Sequence, residues 1–377
     1  MSRLLLVTKK IAGDIHGGRE LLLALNRDCL QEIFEDDLFV VELESAPVRT
    51  AADLVAAMRG HIDGVNEVSL RAIVRMVREK EITQVFIDGS NMGVVASALK
   101  RENVPIKITT FFHNVEARFF LGAFSASRTL RALLVLAANY VAERKAVKNS
   151  DVIVTLSETD SRVLYRTYGR RASLIWPIAI RDKMKSALDS VVPARLERDP
   201  YLLFVGSAFY ANKAGILWFV DNVAPHIRME TVVIGRGMDV MKPRLERGGK
   251  VRVVGSVEDL GHWYLGANIV IAPIFDGSGM KTKVAEALMF GKKILGTPQA
   301  FSGYEDIAER VGWVCKDSED FVATLNSLSG LTLPAFDPQL RALYESRYSF
   351  PAARARHLQA LGDRSNVGGA PPNFLGM

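Results

Sequence analysis

The residues best suited to chemistry stand together in Pro273–Pro298, PIFDGSGMKTKVAEALMFGKKILGTP. Gly277 and Gly279 permit a sharp turn and let backbone approach a ligand closely. Lys281 and Lys283 add positive charge where a helix start would present N–H groups to an anion. Gly277, Ser278, Gly279, Met280, Lys281 and Lys283 therefore read as a cradle for a phosphate or diphosphate. Glu286 lies further along the same helix, where a carboxylate can accept two hydroxyl hydrogen bonds, as from a ribose. A second reading makes Lys283 and Glu286 a surface ion pair at i,i+3 spacing. Val284, Ala287 and Leu288 form the buried stripe and Glu286 points away from it, yet Met289 and Phe290 flank that face, so both readings stand.

Other candidates are scattered. Asp88 ends an apolar run in FIDGSNMG, and His113 ends another in FFHNVEAR, with Asn114 and Glu116 just after it. Gly17 and Gly18, in GDIHGGRE, read as a loop for an acceptor or a phosphate. Each has a plainer alternative. His113 is a buried hydrogen-bonding residue, Asp88 caps its own turn, Glu116 pairs with an arginine near Arg118 or at Arg144, and βα loops need glycine in any case.

These positions share an origin in the elements around them. RLLLVT, LFVVEL, QVFIDG, IKITTFF, DVIVTLS and ASLIWPI in the first half, and YLLFVG, ETVVIG, VRVVGS, NIVIAP, KKILGT and GWVCK in the second, are apolar on both faces. Such runs, spaced by helical segments, are parallel strands buried under helices. Strand–helix alternation implies right-handed βαβ units. The series occurs twice, so the expected fold is α/β, with two Rossmann-like doubly wound parallel sheets facing each other across an interdomain cleft. Expected boundaries are 1–185 for the first domain, 186–200 for a linker, 201–345 for the second domain, 346–361 for a C-terminal helix returning to the first, and 362–377 for a disordered tail. Gly206, Gly235, Gly255 and the Gly277–Gly279 turn each follow a strand, as Asp88 and His113 do. Open α/β sheets bind ligands at these carboxyl ends.

Composition narrows the function. The 377 residues are 49% hydrophobic and 24% charged, as in a globular enzyme. The two cysteines, Cys29 and Cys315, are too far apart in sequence to suggest metal spacing or a disulfide framework, and a reducing, cytoplasmic setting fits. The opening MSRLLLVTKK reads as a buried strand rather than a leader. The longest apolar run, Ala132–Val141, is too short to span a bilayer, which takes roughly 20 residues. Between Lys100 and Lys185, 16 Lys and Arg face 7 Asp and Glu, a surplus of nine; the net charge of +6 leaves −3 elsewhere. That imbalance suits a phosphorylated substrate or an anionic membrane face. Nucleic acid does not fit, since the basic stretch lacks interleaved aromatics on a strand or a groove-reading helix. ARFFLGAFSASRTLRALLVLAANYVAERKAVK mixes aromatics, arginines and a long apolar run. It reads either as a segment lying against a membrane interface or as two core helices with an arginine-bearing outer face. No GxGxxG follows the first strand of either half, which argues against a dehydrogenase, and no GxxxxGK[ST] occurs. Asp-x-Asp is absent too, so no paired carboxylates of the usual kind would hold a diphosphate through a divalent ion; no metal and no cofactor are expected.

FDGSGMKTKVAEALMFGKKILGTPQAFSGYE resembles the donor-binding segment of retaining GT-B glycosyltransferases of family four. LFVGSAFYANKAGILWFVDNVAPHI is similar to the start of their C-terminal domain, and VVIGRG and VRVVGSVEDLGHWYLGANIVIAP continue in register. In the first half, IDGSNMG followed by FFHNVEARFF is similar to a subgroup that assembles bacterial surface polysaccharides. The resemblance implies donor contacts at Gly206, Asn212, Lys213, Gly235, Ser256, Val257, Gly277, Ser278, Gly279, Met280, Lys281, Lys283 and Glu286. It implies catalytic or orienting roles for His113, Asp88 and Glu116. Asp276 and Glu286 have nine residues between them, more than separate the acidic pair of the family pattern, and Glu286 is the counterpart carried over. The function implied is metal-independent, retaining transfer of a sugar from a UDP- or GDP-linked donor, itself a substrate, to a saccharide or lipid-linked acceptor. The implied setting is bacterial polysaccharide synthesis at the inner face of the membrane. Two alternatives share the architecture: a nucleotide-sugar epimerase and a non-catalytic scaffold subunit.

Overall fold

The computed structural model describes residues 2–11, 18–189, 200–328 and 333–362. Gly17, positions 190–199 of the expected linker and the expected tail from 363 onward lie outside them. The chain divides into two compact units, one running to Pro177 and resuming at Ala353, the other spanning Ile178–Ala352.

The first unit is built on a six-stranded parallel sheet of β1 (Leu4–Lys9), β2 (Leu38–Leu43), β3 (Gln84–Asp88), β4 (Lys107–Phe112), β5 (Val152–Thr155) and β6 (Leu174–Ile175). Its helices are α1 (Gly18–Phe34), α2 (Ala51–Met58), α3 (Glu67–Glu79), α4 (Gly93–Arg101), α5 (Glu116–Ser127), α6 (Leu130–Asn149) and α7 (Glu158–Tyr168). Strand order is β2-β1-β3-β4-β5-β6, the flavodoxin type of doubly wound sheet, whose switch point lies between β1 and β3. Local chemistry sets the helix ends. Thr50 with Asp53, and Asn66 with Ser69, form reciprocal capping boxes for α2 and α3. The core under β1, β3 and β4 is aliphatic, with Leu5, Val7, Ile73, Ile87, Val95 and Ile108 all fully buried.

Gly93 opens α4 and sets how closely it crosses α6. A Cβ there would lie 2.2 Å from both Ala142 O and Ala146 N. The C-terminal half of α6 is buried through Ala138, Ala142, Ala146 and Val147. From Arg118 in α5 through Ala137 in α6, by contrast, no described side chain is buried. The reading of this stretch as two core helices therefore holds only for the later half of α6.

The second unit carries β7 (Tyr201–Val205), β8 (Glu230–Ile234), β9 (Val251–Gly255), β10 (Ile269–Ala272), β11 (Ile294–Gly296) and β12 (Gly312–Val314), all parallel. Helices are α8 (Met184–Asp189), α9 (Tyr210–Asn222), α10 (Lys242–Leu245), α11 (Gly261–Gly266), α12 (Thr282–Met289), α13 (Ala308–Val311), α14 (Ser318–Ser327), α15 (Pro338–Arg347) and α16 (Phe350–Leu361). The order β12-β11-β10-β7-β8-β9 is that of the dinucleotide-binding sheet, with its switch point between β7 and β10. All twelve segments expected as strands contain one. The stretch expected as a linker begins within α8 instead of leaving the fold.

From Ala353 on, α16 belongs to the first unit. Gln84 donates to Leu361 O at 2.8 Å, and His357 packs 4.3 Å from the Trp176 ring. Burial pushes His357 down to about 4, so it is a neutral aromatic filler at physiological pH.

Candidate functional site

In the second unit, β7 and β10 diverge at the switch point, and the loops after them carry the predicted cradle. Gly206 follows β7, and a Cβ there would meet the Asn212 side chain at 2.8 Å. Gly235, after β8, has φ 156°, and its Cβ would lie 1.9 Å from Gly206 O. Glycine at both positions lets the loops nest. After β10, Gly277 and Gly279 take φ 100° and 70°, left-handed backbone that a side chain would strain. Asp276 accepts the Gly277 N–H at 2.6 Å and hydrogen-bonds Tyr210, so it shapes the turn. Lys281 was expected to reach out to an anion. Its ammonium folds back instead onto the carbonyls of Gly277, Ser278 and Gly279 at 3.1, 3.2 and 2.7 Å. The N-cap residue of α12, Lys281, makes no side-chain cap bond, and the Tyr304 hydroxyl packs at the same end, donating to Lys281 O at 3.0 Å.

Lys283 is the decisive residue. The sequence alternative, a surface pair with Glu286, fails because Lys283 is buried. Its ammonium donates to Asn212 Oδ1 at 3.0 Å and sits 4.6 Å from the Phe204 ring centroid. Burial pushes it down to about 7; Glu286 raises it in part and Lys281 lowers it. No carboxylate is in direct contact with it among the described residues, an arrangement that an anion would complement. Glu286 is half-buried and accepts the Tyr264 hydroxyl at Oε2, 2.8 Å away. Tyr264 is itself locked by stacking on Phe290, centroids 5.0 Å apart. The carboxylate is thus held in one rotamer with acceptor capacity remaining. Nothing in the sequence singled out Tyr264. Lys213 is exposed in the first turn of α9, Met280 is buried, and Ser256 and Val257 follow β9, exposed and half-buried respectively.

In the first unit, Asp88 and His113 meet. Both are buried, and His113 Nε2 lies 2.9 Å from Asp88 Oδ1 without the alignment of a hydrogen bond. The same Oδ1 accepts Asn26 Nδ2 at 3.0 Å. Asp88 does not cap its own turn, which has no side-chain cap. The His113 ring packs edge-on against Phe111, centroids 5.1 Å apart. Asp88 Oδ2 and His113 Nδ1 are buried without partners, an arrangement with capacity for a hydroxyl ligand.

Glu116, the first residue of α5, is buried beside them. Its cation is neither of the expected arginines but Arg19, 3.9 Å away in the first turn of α1. Arg19 also pairs with Asp63 at 3.4 Å and donates to Asn91 Oδ1 at 3.2 Å, and Lys9 lies 3.3 Å from Asp63. Gly18, opening α1, puts Arg19 there. Burial pushes Glu116 up to about 7; Arg19 and His113 pull it down, and Glu143 and Asp63 push it up. Glu143 reaches across from α6 to accept the N–H groups of Glu116 and Ala117 at 2.9 and 3.1 Å, and the Tyr168 hydroxyl at 2.7 Å. It caps α5, whose own N-cap residue makes no side-chain bond. Burial raises its carboxyl despite these bonds. Sequence reasoning missed Arg19, Asp63, Asn91 and Glu143; only Arg19, directly after Gly17-Gly18, carried a signal.

Residues 199–330 match the protein family described as Glycosyl transferases group 1. No curated protein matches the chain in sequence. Among solved structures, a sucrose-phosphate synthase from Thermosynechococcus elongatus matches with TM-score 0.69 at 14% identity, covering 95% of this chain and 98% of that one. Anabaena HepE in complex with UDP matches with TM-score 0.67 at 12% identity, covering 96% and 99%. An α,α-trehalose 6-phosphate synthase from Burkholderia multivorans gives 0.63 at 12% identity and 96% of both chains. At these identities the likeness establishes the fold, and the chain has the GT-B architecture of two parallel-sheet units.

Proposed function

We propose that this chain is a glycosyltransferase that takes a nucleotide sugar in its second unit and a saccharide or lipid-linked acceptor in its first. The observation that carries this reading is Lys283, buried and held by Asn212 in the first turn of α12, with Glu286 fixed by Tyr264 in the same helix. A diphosphate satisfies the lysine and the helix; ribose hydroxyls satisfy the glutamate. The family match over this segment and the similarly folded Anabaena HepE, in complex with UDP and with UDP-glucose, support it.

In the reaction proposed, the bond from the sugar's anomeric carbon to the diphosphate oxygen breaks, and a bond to the acceptor oxygen forms on the same face. The acceptor's proton passes to the leaving diphosphate, so configuration is retained. Lys283 and the α12 N–H groups take up the negative charge of the leaving group. His113, Asp88 and Glu116 orient the sugar and the acceptor hydroxyl. Metal independence is part of the proposal. It is motivated by the missing Asp-x-Asp, and among the described residues no group of His, Cys, Asp and Glu is placed to hold an ion. The setting proposed is bacterial polysaccharide assembly at the cytoplasmic face of an anionic membrane. Among the described residues no helix is long and apolar enough to cross one.

The test is incubation of the purified protein with a panel of UDP- and GDP-sugars, with and without membrane lipid extract and with and without chelator. Transfer that survives chelation is the expected result. A new donor isomer would make the chain an epimerase, and absence of binding to every donor would leave a scaffold.

A further inference from the structure

We infer that the elbow where α5 turns into α6 is a docking surface for an anionic lipid bilayer. The inference deepens the reading above, because it gives the acceptor a lipid anchor. From Arg118 to Ala137 the chain has no acidic residue and three arginines, Arg118, Arg128 and Arg131. Over the same span the described side chains are all at least partly exposed, although most of them are apolar. Leu121 is 43% exposed, Leu130 71% and Leu133 42%. Phe119, Phe120, Phe124 and Leu134 are only half-buried. So many apolar side chains left exposed along one stretch of a folded protein mark an interaction site.

The elbow has a defined shape. Arg128 takes left-handed φ 50° and donates its N–H to Phe124 O at 2.7 Å, closing α5. Thr129 then caps α6 through the Ala132 N–H at 3.2 Å. Apolar side chains with arginines interspersed and no carboxylate complement a bilayer interface, where hydrocarbon takes the leucines and phosphates take the guanidinium groups. A protein partner would more usually be matched by charges of both signs. The elbow is also tied to the polar cluster, since α5 begins at Glu116. Its twelve residues span about 18 Å at the helical rise.

Co-sedimentation with phosphatidylglycerol–phosphatidylcholine vesicles, against pure phosphatidylcholine, tests this with the whole chain. Wild type should bind the anionic vesicles. The triple variant Leu121→Asp, Leu130→Asp, Leu133→Asp should lose binding by at least about tenfold. Arg128→Glu with Arg131→Glu should weaken it on the order of tenfold and remove most of its salt dependence. All five side chains are exposed, so thermal melts should not change, and calorimetric nucleotide affinity in the other unit should stay at the wild-type value. Nucleotide binding without vesicle binding overturns the docking surface and leaves the transferase reading standing. Vesicle binding without nucleotide binding does the reverse. Vesicle binding that the triple variant retains overturns the assignment to this elbow, as does a wild-type dimer that the triple variant dissociates without any lipid affinity.

Discussion

Beside β10, a lysine is buried against a neutral amide and an aromatic ring; beside β4, two glutamates are buried at the start of α5, one of them near an arginine. Both clusters sit at carboxyl ends of parallel strands, and both put titratable groups out of water. In the second unit desolvation drives a base toward neutrality. In the first unit desolvation drives acids toward protonation, so the resting site can donate as well as accept. On the reading proposed above, the first would take a charged ligand and the second uncharged hydroxyls, the two being distinguished by the sign of the group each buries.

The largest effect should come from Lys283→Met. If the buried ammonium is the anion's partner, nucleoside-diphosphate affinity should drop on the order of 100-fold, about 3 kcal/mol. The variant should also melt higher, because an apolar side chain replaces a desolvated cation. Wild-type affinity should decline as pH rises above about 7, since binding needs the proton that burial has loosened; the variant's affinity should be flat. Stability moves in the opposite direction. The unfolded chain holds Lys283's proton up to its ordinary range while the folded chain releases it near 7, so this residue's contribution to stability improves as pH rises between the two. Unchanged affinity in calorimetry would dissolve the contrast.

Next is Glu143→Ala. It strips two N–H groups and the Tyr168 hydroxyl of their acceptor, at a cost of about 2–3 kcal/mol in denaturant titrations. Transfer should fall while nucleotide affinity does not. A parallel loss of nucleotide binding would mean the two regions are not separable as described. Glu116→Gln is milder and tests the acid side. Glu116 holds its proton in the fold up to about 7, whereas the unfolded chain has released it by then. Wild-type stability should therefore fall as pH rises from about 4.5 through 7, by roughly 3 kcal/mol, and Gln should flatten that fall. Smallest is Glu286→Ala, about tenfold weaker for nucleoside diphosphates and without effect on inorganic pyrophosphate, which has no ribose. Equal losses for both ligands would move Glu286 to the phosphate side.

The second-unit site was legible because most of it is one segment. Gly277 through Glu286 occupy one turn and one helix, where spacing translates directly into geometry. What was misread there is direction. Lys281 and Lys283 looked equivalent, yet one ties back the turn and the other is buried under it, and that depends on Asn212 and Phe204, far away in sequence. The first-unit cluster draws from α1, the Asp63 and Asn91 loops, β3, β4, α5 and α6. Asp88 and His113 stood out because strand ends are readable, but Arg19 and Glu143 sit inside helices among ordinary neighbours, and only packing makes them partners. Strand order was likewise beyond sequence, since alternation predicts parallel sheets but does not say that one has the flavodoxin order and the other the dinucleotide-binding order. The α5–α6 elbow was readable either as core or as an interface segment for the same reason: apolarity alone does not say which leucines stay outside.

Gly93 touches no ligand in any of these readings. It supplies clearance: a single methyl there would stand 2.2 Å from Ala142 O, and Ala142 is the neighbour of Glu143. Backing α6 away far enough to admit it would draw that carboxylate off the two amides it holds, and Glu116 would lose its footing. An alanine at 93 would therefore behave as an acid-site defect in a protein whose every ionisable group is intact, so a survey of variants would point to a glycine as if it were a member of the chemistry.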